Sequence, residues 1–358
     1  MLPISGSRSP QAGACDSALR VLFVIPGAAE GSSMIFARRQ AEALRRRGID
    51  VPVFHLGSRT SPKVLFSEWR RFRRELRIAR PHVIHAHFGT VTALFAALSA
   101  QGIPLAITYR GSDLNPVPGA ATERLRARIG HWFSQAAALA ADQIVCVSEQ
   151  LTRRLWWRRD RAVVLPSGVD PDIFRPEPRD VARRRLGWKS DETVVLFNSG
   201  NGAPVKRRDL AEAAVACARR LRPSLRLEVM DGRTSPDLVP TLMNASDCLL
   251  VTSDHEGSPT VVQEALATDL PIVSVDVGDV RQRLEGIHAT RIAPRDPEAI
   301  AAALNDVLAL ECRSNGRSKL AECSAHRVAS ELHAIYARIA GRDMEPWDVS
   351  SPAFRQAS

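Results

Sequence analysis

Two glutamates with seven residues between them carry the strongest chemical signal in the sequence: Thr252-Ser-Asp-His-Glu256-Gly-Ser-Pro-Thr-Val-Val-Gln-Glu264-Ala. They come after a short apolar run, Cys248–Thr252, that reads as a buried strand, and they open a helical pattern. Ser258 is a natural N-cap, and Pro259 suits the first helical position. Across Gly257, Ser258, Pro259, Thr260 and Val261 the free backbone N–H groups of the turn would point beyond the strand end. With the helix dipole they would form an anion site suited to phosphate. Glu256 in the loop and Glu264 about one turn inside the helix could each accept from hydroxyls on either side of a diphosphate. The same spacing also fits a well-capped helix with two surface glutamates, and spacing alone does not choose between them.

Other candidates are weaker. The loop Pro26-Gly-Ala-Ala-Glu-Gly31-Ser-Ser33 leads from a strand into a helix, but it is not G-x-G-x-x-G, so a dinucleotide fingerprint is absent. His85 and His87 stand two apart at a strand end and could share one face. No third ligand accompanies them, and no Cys/His cluster has zinc spacing, so no metal is expected. The six cysteines form no C-x-x-C pair; Cys146, Cys217 and Cys248, among apolar neighbours, read as reduced core residues.

The elements that must position these residues alternate regularly. Arg20–Ile25, Val51–His55, Val83–His85, Pro104–Tyr109, Gln143–Val147 and Ala162–Leu165 read as strands, mostly too continuously apolar for a half-exposed sheet. A helix from Met34 to Arg47 carries Met34, Ala37, Ala41 and Leu44 on one stripe and stops at Gly48. The proline-rich stretch from Pro166 to Glu192 reads as a connection, with the hinge at 176–192. The pattern then restarts, with strands at Thr193–Asn198, Arg226–Met230, Cys248–Thr252 and Pro271–Val275 and a last helix at Ala325–Ala340. The expectation is an α/β protein of two Rossmann-like, doubly wound domains: a lead-in at 1–19, a first domain at 20–175, a second at 193–324, a helix at 325–345 returning to the first domain, and a tail at 346–358.

The chain has 358 residues and a net charge of +10. Residues 1–180 hold 26 Lys and Arg against 15 Asp and Glu, and the second half holds 23 against 24, so the whole excess lies in the first. Such asymmetry suggests that one half faces an anionic surface or ligand. The run Leu65 to Arg80 places an apolar stripe beside arginines, and Leu155-Trp-Trp157-Arg-Arg159 repeats the combination. Both suit an anionic membrane surface, and equally a helix covering the sheet with a solvated basic face. No nucleic-acid motif accompanies the charge, so no nucleic-acid partner is expected. No run reaches the length of a membrane span, and the first twenty residues lack a secretory h-region. The expected location is the cytoplasm, including the inner face of its membrane.

With the order of its motifs, the sequence resembles the family 4 glycosyltransferases. The glutamate pair looks like their E-x7-E motif, and Leu270-Pro-Ile-Val-Ser-Val-Asp-Val-Gly-Asp279-Val is typical of the segment after that motif. His85-Ala-His87-Phe-Gly89, Gly111-Ser-Asp113, Ile144-Val-Cys-Val-Ser-Glu149, Pro166-Ser-Gly168-Val-Asp170…Phe174 and Val205-Lys206-Arg207 match further landmarks in order, over roughly residues 20–340. The resemblance implies the GT-B architecture, two domains facing each other across a cleft, with a nucleotide-diphosphate-sugar donor held mainly by the second domain. It implies a retaining, metal-independent hexosyltransferase acting on a glycan or lipid-linked acceptor, in motif form closest to enzymes of cell-surface polysaccharide assembly of the teichuronic acid and exopolysaccharide type. By the same resemblance Glu256 would bind the transferred sugar, Glu264 the ribose, and Lys206 with Arg207 the departing diphosphate. Gly31 would lie near the diphosphate, and Arg110 and Asp113 would stand on the catalytic loop. Two departures matter: relatives often have His where this chain has Arg110, which cannot exchange a proton near neutrality, and an Arg usual before the lysine is missing from Gly200–Val205, leaving Arg207 or Arg208 to compensate. Two alternatives stand beside the transferase: a sugar-nucleotide epimerase of the same fold, and a non-catalytic basic binding protein with a decayed donor site.

Overall fold

The computed structural model describes residues 18–28, 34–57, 61–115, 121–200 and 202–341. Gly31, most of the expected lead-in and the tail lie outside the described residues. Eleven strands are found among those described. In the first domain they are β1 (Val21–Pro26), β2 (Val53–Leu56), β3 (Val83–His87), β4 (Leu105–Tyr109), β5 (Gln143–Cys146) and β6 (Ala162–Val164). In the second they are β7 (Thr193–Asn198), β8 (Leu225–Met230), β9 (Cys248–Val251), β10 (Ile272–Val275) and β11 (Thr290–Ala293). β11 was not anticipated: Thr290-Arg-Ile-Ala is short and polar because it is an edge strand, exposed at Arg291.

Every strand pair is parallel, in the orders β2-β1-β3-β4-β5-β6 and β11-β10-β9-β7-β8. The central strands β1, β3, β4, β5, β9 and β10 are buried along their whole length. This is why they read as unbroken apolar runs: helices cover both faces of a parallel sheet. The architecture is two doubly wound α/β domains of the GT-B type.

Each domain has its own core. One layer of the first packs Phe54, Phe72, Leu76 and Phe95 under the helices Pro62–Ala79, Thr90–Ser99 and Ala121–Ala140. On the opposite face Val21, Phe23, Ala37 and Leu44 meet Val328, Leu332, Ile335 and Tyr336 of the last helix, Ala325–Ile339. The basic run Leu65–Arg80 therefore buries Phe72 and Leu76 on the sheet while leaving Phe66 and Ile78 exposed. Among the helices of the described residues, none is long and apolar enough to cross a membrane.

The crossover between domains differs from the expected hinge. Residues 176–192 contain the helix Arg179–Leu186, fixed to the second domain through Arg183, which bonds Asp247 at 2.7 Å and the Ala245 carbonyl at 2.9 Å. Pro178 is the N-cap of this helix, so the proline-rich segment leads into a helix instead of staying open. The chain passes between domains at Val169, whose N–H donates to the Cys323 carbonyl while its own carbonyl accepts from Ala325 N–H. Both crossings thus lie side by side, so close that a Cβ on Gly168 would fall 2.7 Å from Ala325 Cα. Cys146 and Cys248 are buried as expected, but Cys217 is half-exposed and its thiol lies 3.4 Å from Glu298 Oε1.

Candidate functional site

Loops at the carboxyl ends of β3, β4, β7 and β9 and the start of the helix Ile35–Arg45 converge between the domains, where open parallel sheets bind ligands. Lys206 closes a 3-10 turn, Pro204–Lys206, after β7. That turn is stitched to the loop after β9: Thr252 Oγ1 donates to the carbonyls of Lys206 (2.9 Å) and Arg207 (3.0 Å), and Asp254 N–H donates to Val205 O. The stitching brings Lys206 Nζ to 2.5 Å from Glu256 Oε1, which also accepts from Ser253 Oγ at 2.7 Å. The two residues singled out by sequence thus form one charged unit, partly buried on both sides.

The helix Thr260–Ala267 comes next. It begins one residue later than expected: Pro259 is the N-cap and carries no side-chain cap. Ser258 is drawn elsewhere, its Oγ meeting Gln263 Nε2 (3.1 Å) and Arg283 Nη2 (3.2 Å). The first turn of the helix consequently keeps its N–H groups free of a side-chain competitor. A cavity of about 200 Å³ lies against it, lined by Ser258 to Val261, Lys206, Glu256, Asn198, Arg110, Ser167 and Phe36. A second, of about 350 Å³ and more apolar, shares Phe36, Arg110, Lys206 and Glu256 and adds Met34, Phe88, His255 and Gly257.

The domains touch between these cavities. A Cβ on Gly257 would stand 2.2 Å from the Arg110 carbonyl oxygen, so only glycine permits this approach. Gly278, at φ +57°, lies behind it, where a Cβ would meet Gly257 O at 2.9 Å.

Arg110 reaches both cavities from the first domain. Its guanidinium donates to Ser167 Oγ (2.7 Å) and His87 Nδ1 (3.0 Å) and stacks on Phe36, with Cζ 4.0 Å from the ring centre. Burial lowers its pKa to about 9, which leaves it charged at neutral pH. His85 and His87 are fully buried, and burial lowers His85 to about 3 and His87 well below its ordinary value. His85 is fixed by Tyr336 Oη (2.6 Å) and Thr108 Oγ1 (2.7 Å). Both rings are neutral packing and positioning groups.

Asp113 is brought to Arg110 but not to the cavities. Fully buried, its carboxylate accepts from the backbone N–H groups of Gly89 (3.0 Å), Arg110 (3.0 Å) and Gly111 (2.8 Å). The expected catalytic carboxylate is thus a brace between the loops after β3 and β4, where three converging N–H groups demand an acceptor. Arg207 is also turned aside. Asp209 and Asp254 hold it (2.9 and 3.2 Å) and raise its pKa, while Arg208 pairs with Glu212 at 2.7 Å. Arg207, Arg208 and Glu264 line neither of the two cavities.

Glu264 sits a turn inside its helix, where burial raises its pKa to about 7 against the opposing pull of Arg39, 3.2 Å away. Phe36, Arg39, Asn198 and Ser167 were missed by the sequence reading. Ser167 lay inside a quoted motif, Pro166-Ser-Gly168, but the helix carrying Phe36 and Arg39 was read only for its buried stripe.

Comparison with known proteins identifies the family and the fold. Residues 29–173 match the family model described as Glycosyltransferase Family 4, and residues 188–309 match Glycosyl transferases group 1. The chain is 27% identical over 244 residues to a Bacillus subtilis protein named as a teichuronic acid biosynthesis glycosyltransferase, TuaC, covering 63% of this chain and 60% of that protein. It is 32% identical over 212 residues to a D-inositol 3-phosphate glycosyltransferase of Geodermatophilus obscurus, covering 49% and 47%. The matches therefore span about half the length of these relatives. Among solved structures, sucrose-phosphate synthase from Thermosynechococcus elongatus superposes with a TM-score of 0.77 at 17% identity, over 90% of this chain and 99% of the other. Anabaena HepE in complex with UDP gives 0.66 at 15%, over 89% and 100%; at such identities these two speak for the fold alone. The two family models together account for residues 29–173 and 188–309, and the chain belongs to glycosyltransferase family 4.

Proposed function

We propose that the protein transfers a sugar, with retention, from a nucleoside diphosphate donor to a glycan or lipid-linked acceptor of the cell surface. The observation that carries this reading is the convergence of Lys206, Glu256, Arg110 and the start of the Thr260–Ala267 helix on one cavity between the domains. Two fixed cations and a helix N-terminus face the place where a departing diphosphate would gain charge. Glu256, already accepting from Lys206 and Ser253, is placed to accept from sugar hydroxyls. Its partner Lys206 is then free to turn to phosphate. The neighbouring, more apolar cavity beside Met34, Phe36 and Phe88 suits the acceptor, and the Arg110–Gly257 contact closes the donor side from water. Arg110 acts as a fixed charge and not as a proton carrier.

Two features support docking of the first domain on anionic lipid. The excess charge lies there, and Leu125, Ile129, Trp132 and Trp156 are exposed beside Arg124, Arg126, Arg128, Arg153 and Arg159. Trp132 and Trp156 pack edge to face, 4.6 Å between ring centres. Aromatic rings with flanking arginines suit the headgroup region.

The test is nucleoside diphosphate release by the purified protein from a panel of uridine, guanosine and adenosine diphosphate sugars, with and without a membrane-lipid extract. Release from one donor, raised by the extract and reduced about 10²–10³-fold in Glu256→Gln and in Lys206→Met, is expected. A rearranged sugar nucleotide formed without diphosphate release would instead mark an epimerase. No release and no nucleotide binding would leave a binding protein with a decayed site.

A further inference from the structure

The ion pair between Arg39 and Glu264 joins the two domains at a place that the transfer chemistry itself does not require. Arg39 belongs to the first domain, on the helix Ile35–Arg45, and Glu264 to the second, on Thr260–Ala267. Arg39 Nη1 donates to Glu264 Oε1 at 3.2 Å, across 225 residues of sequence. The guanidinium is steadied from below by Phe174, 5.2 Å from its ring centre, and Phe174 is part of the second domain's core. So a side chain rooted in one domain rests on the core of the other and ends on the carboxylate proposed to hold the ribose.

We propose that Arg39 is a positioning residue through which domain closure sets donor affinity: it fixes Glu264 as an ionised ribose acceptor only while the domains are closed. This rests on the reading of Glu264 as the ribose carboxylate. One N–H of Arg39 engages one oxygen, so the second oxygen and the remaining lone pair of the first stay available to a vicinal diol. Arg39 and ribose therefore bind the same carboxylate together rather than in competition. When the domains part, Arg39 withdraws and Glu264 is left without its counter-charge, which weakens the donor's hold and favours nucleotide release.

Among the described residues Arg39 is the charge that acts on Glu264. The Thr260–Ala267 helix carries no second ionisable residue. The Gly316–Lys319 turn packs against that helix, but Arg317 is spent on the carbonyls of Ala267 and Phe174, and Lys319 on that of Glu285. Burial already pushes the Glu264 carboxyl up to about 7, and Arg39 is what opposes the rise. Without Arg39 more of it is protonated at neutral pH, and a protonated carboxyl is a poorer acceptor for two hydroxyls.

The experiment is titration calorimetry of the full chain with UDP, GDP, ADP and their 2′-deoxy forms between pH 6 and 9, for the wild type, Arg39→Met, Arg39→Lys and Glu264→Gln. For whichever base binds, wild-type affinity should fall as the pH drops through about 7. Arg39→Met should bind about tenfold more weakly at neutral pH, with that fall moved to higher pH and the preference for ribose over deoxyribose reduced. Arg39→Lys, which keeps the charge but not the planar fork, should lie between the two. Retained far-ultraviolet dichroism confirms that each variant folds. If Glu264→Gln weakens binding while Arg39→Met binds as tightly as the wild type or tighter, or keeps the same pH profile, the role of Arg39 is overturned and the ribose reading stands. If Glu264→Gln changes nothing, or the wild type binds none of the three nucleotides, the ribose reading fails and takes this proposal with it.

Discussion

Arg110 donates to Nδ1 of His87 at 3.0 Å, and that single bond fixes the chemistry of both side chains. A guanidinium has no lone pair to offer, so Nδ1 must accept and the imidazole must be neutral with its proton on Nε2. Burial enforces the same state by holding the His87 pKa well below its usual value. Where relatives often have a histidine beside Gly111, this chain presents a permanent cation braced by a histidine underneath.

The brace predicts how substitutions at Arg110 behave. Arg110→Ala should lower turnover about 100-fold, the cost of one lost electrostatic donor. Arg110→Lys should recover little, because an ammonium cannot reach Ser167 and His87 as a planar fork does. Steady-state rates across neutral pH should fall by a constant factor, since the residue exchanges no proton there. An activity profile that changes shape instead would return a proton-transfer role to this position.

Gly257 should be intolerant of a methyl group. Its added Cβ would lie 2.2 Å from the Arg110 carbonyl, and backbone cannot yield as a side chain can. Gly257→Ala should leave each domain folded, push them apart, and lower turnover at least tenfold. Small-angle scattering should report a larger radius of gyration than for the wild type; equal radii with full activity would refute the contact.

Asp113 should matter for stability more than for chemistry. Asp113→Ala strips the acceptor from three buried backbone N–H groups. A loss of roughly 3 kcal/mol is expected in urea unfolding, at 1–3 kcal/mol per stranded group with partial relaxation. Whatever folded fraction remains should keep a donor affinity within a few-fold of wild type. Full stability with abolished turnover would contradict the bracing role.

The exposed aromatic–arginine face of the first domain makes a separate prediction. Co-sedimentation with vesicles rich in anionic phospholipid should exceed that with neutral phosphatidylcholine and weaken with salt. Replacing Trp132 and Trp156 with Ser should reduce the anionic binding about tenfold while nucleoside diphosphate release from a water-soluble system is unchanged. Equal binding to both vesicle types would exclude this face as a lipid surface.

The sequence by itself determined the alternation of strands and helices, because helix-covered parallel strands must be apolar throughout and Val21–Pro26 or Leu105–Tyr109 can hardly be read otherwise. It also singled out Glu256 by its motif and Lys206 by the family resemblance; the two meet because their loops follow β9 and β7, which are neighbours in the sheet. The edge strand Thr290–Ala293 escaped because half-exposed edges lose that apolar signature. The helix Arg179–Leu186 escaped because its prolines resemble a linker until Asp247 is there to hold Arg183. Only the tertiary structure decided which arginines serve the site. Arg207 stands next to Lys206 yet is captured by Asp209 and Asp254, whereas Arg39 arrives at Glu264 from 225 residues away. Periodicity records which face of an element is buried; it carries no record of which polar group waits across the gap, since that is set by how loops and domains are brought together in space.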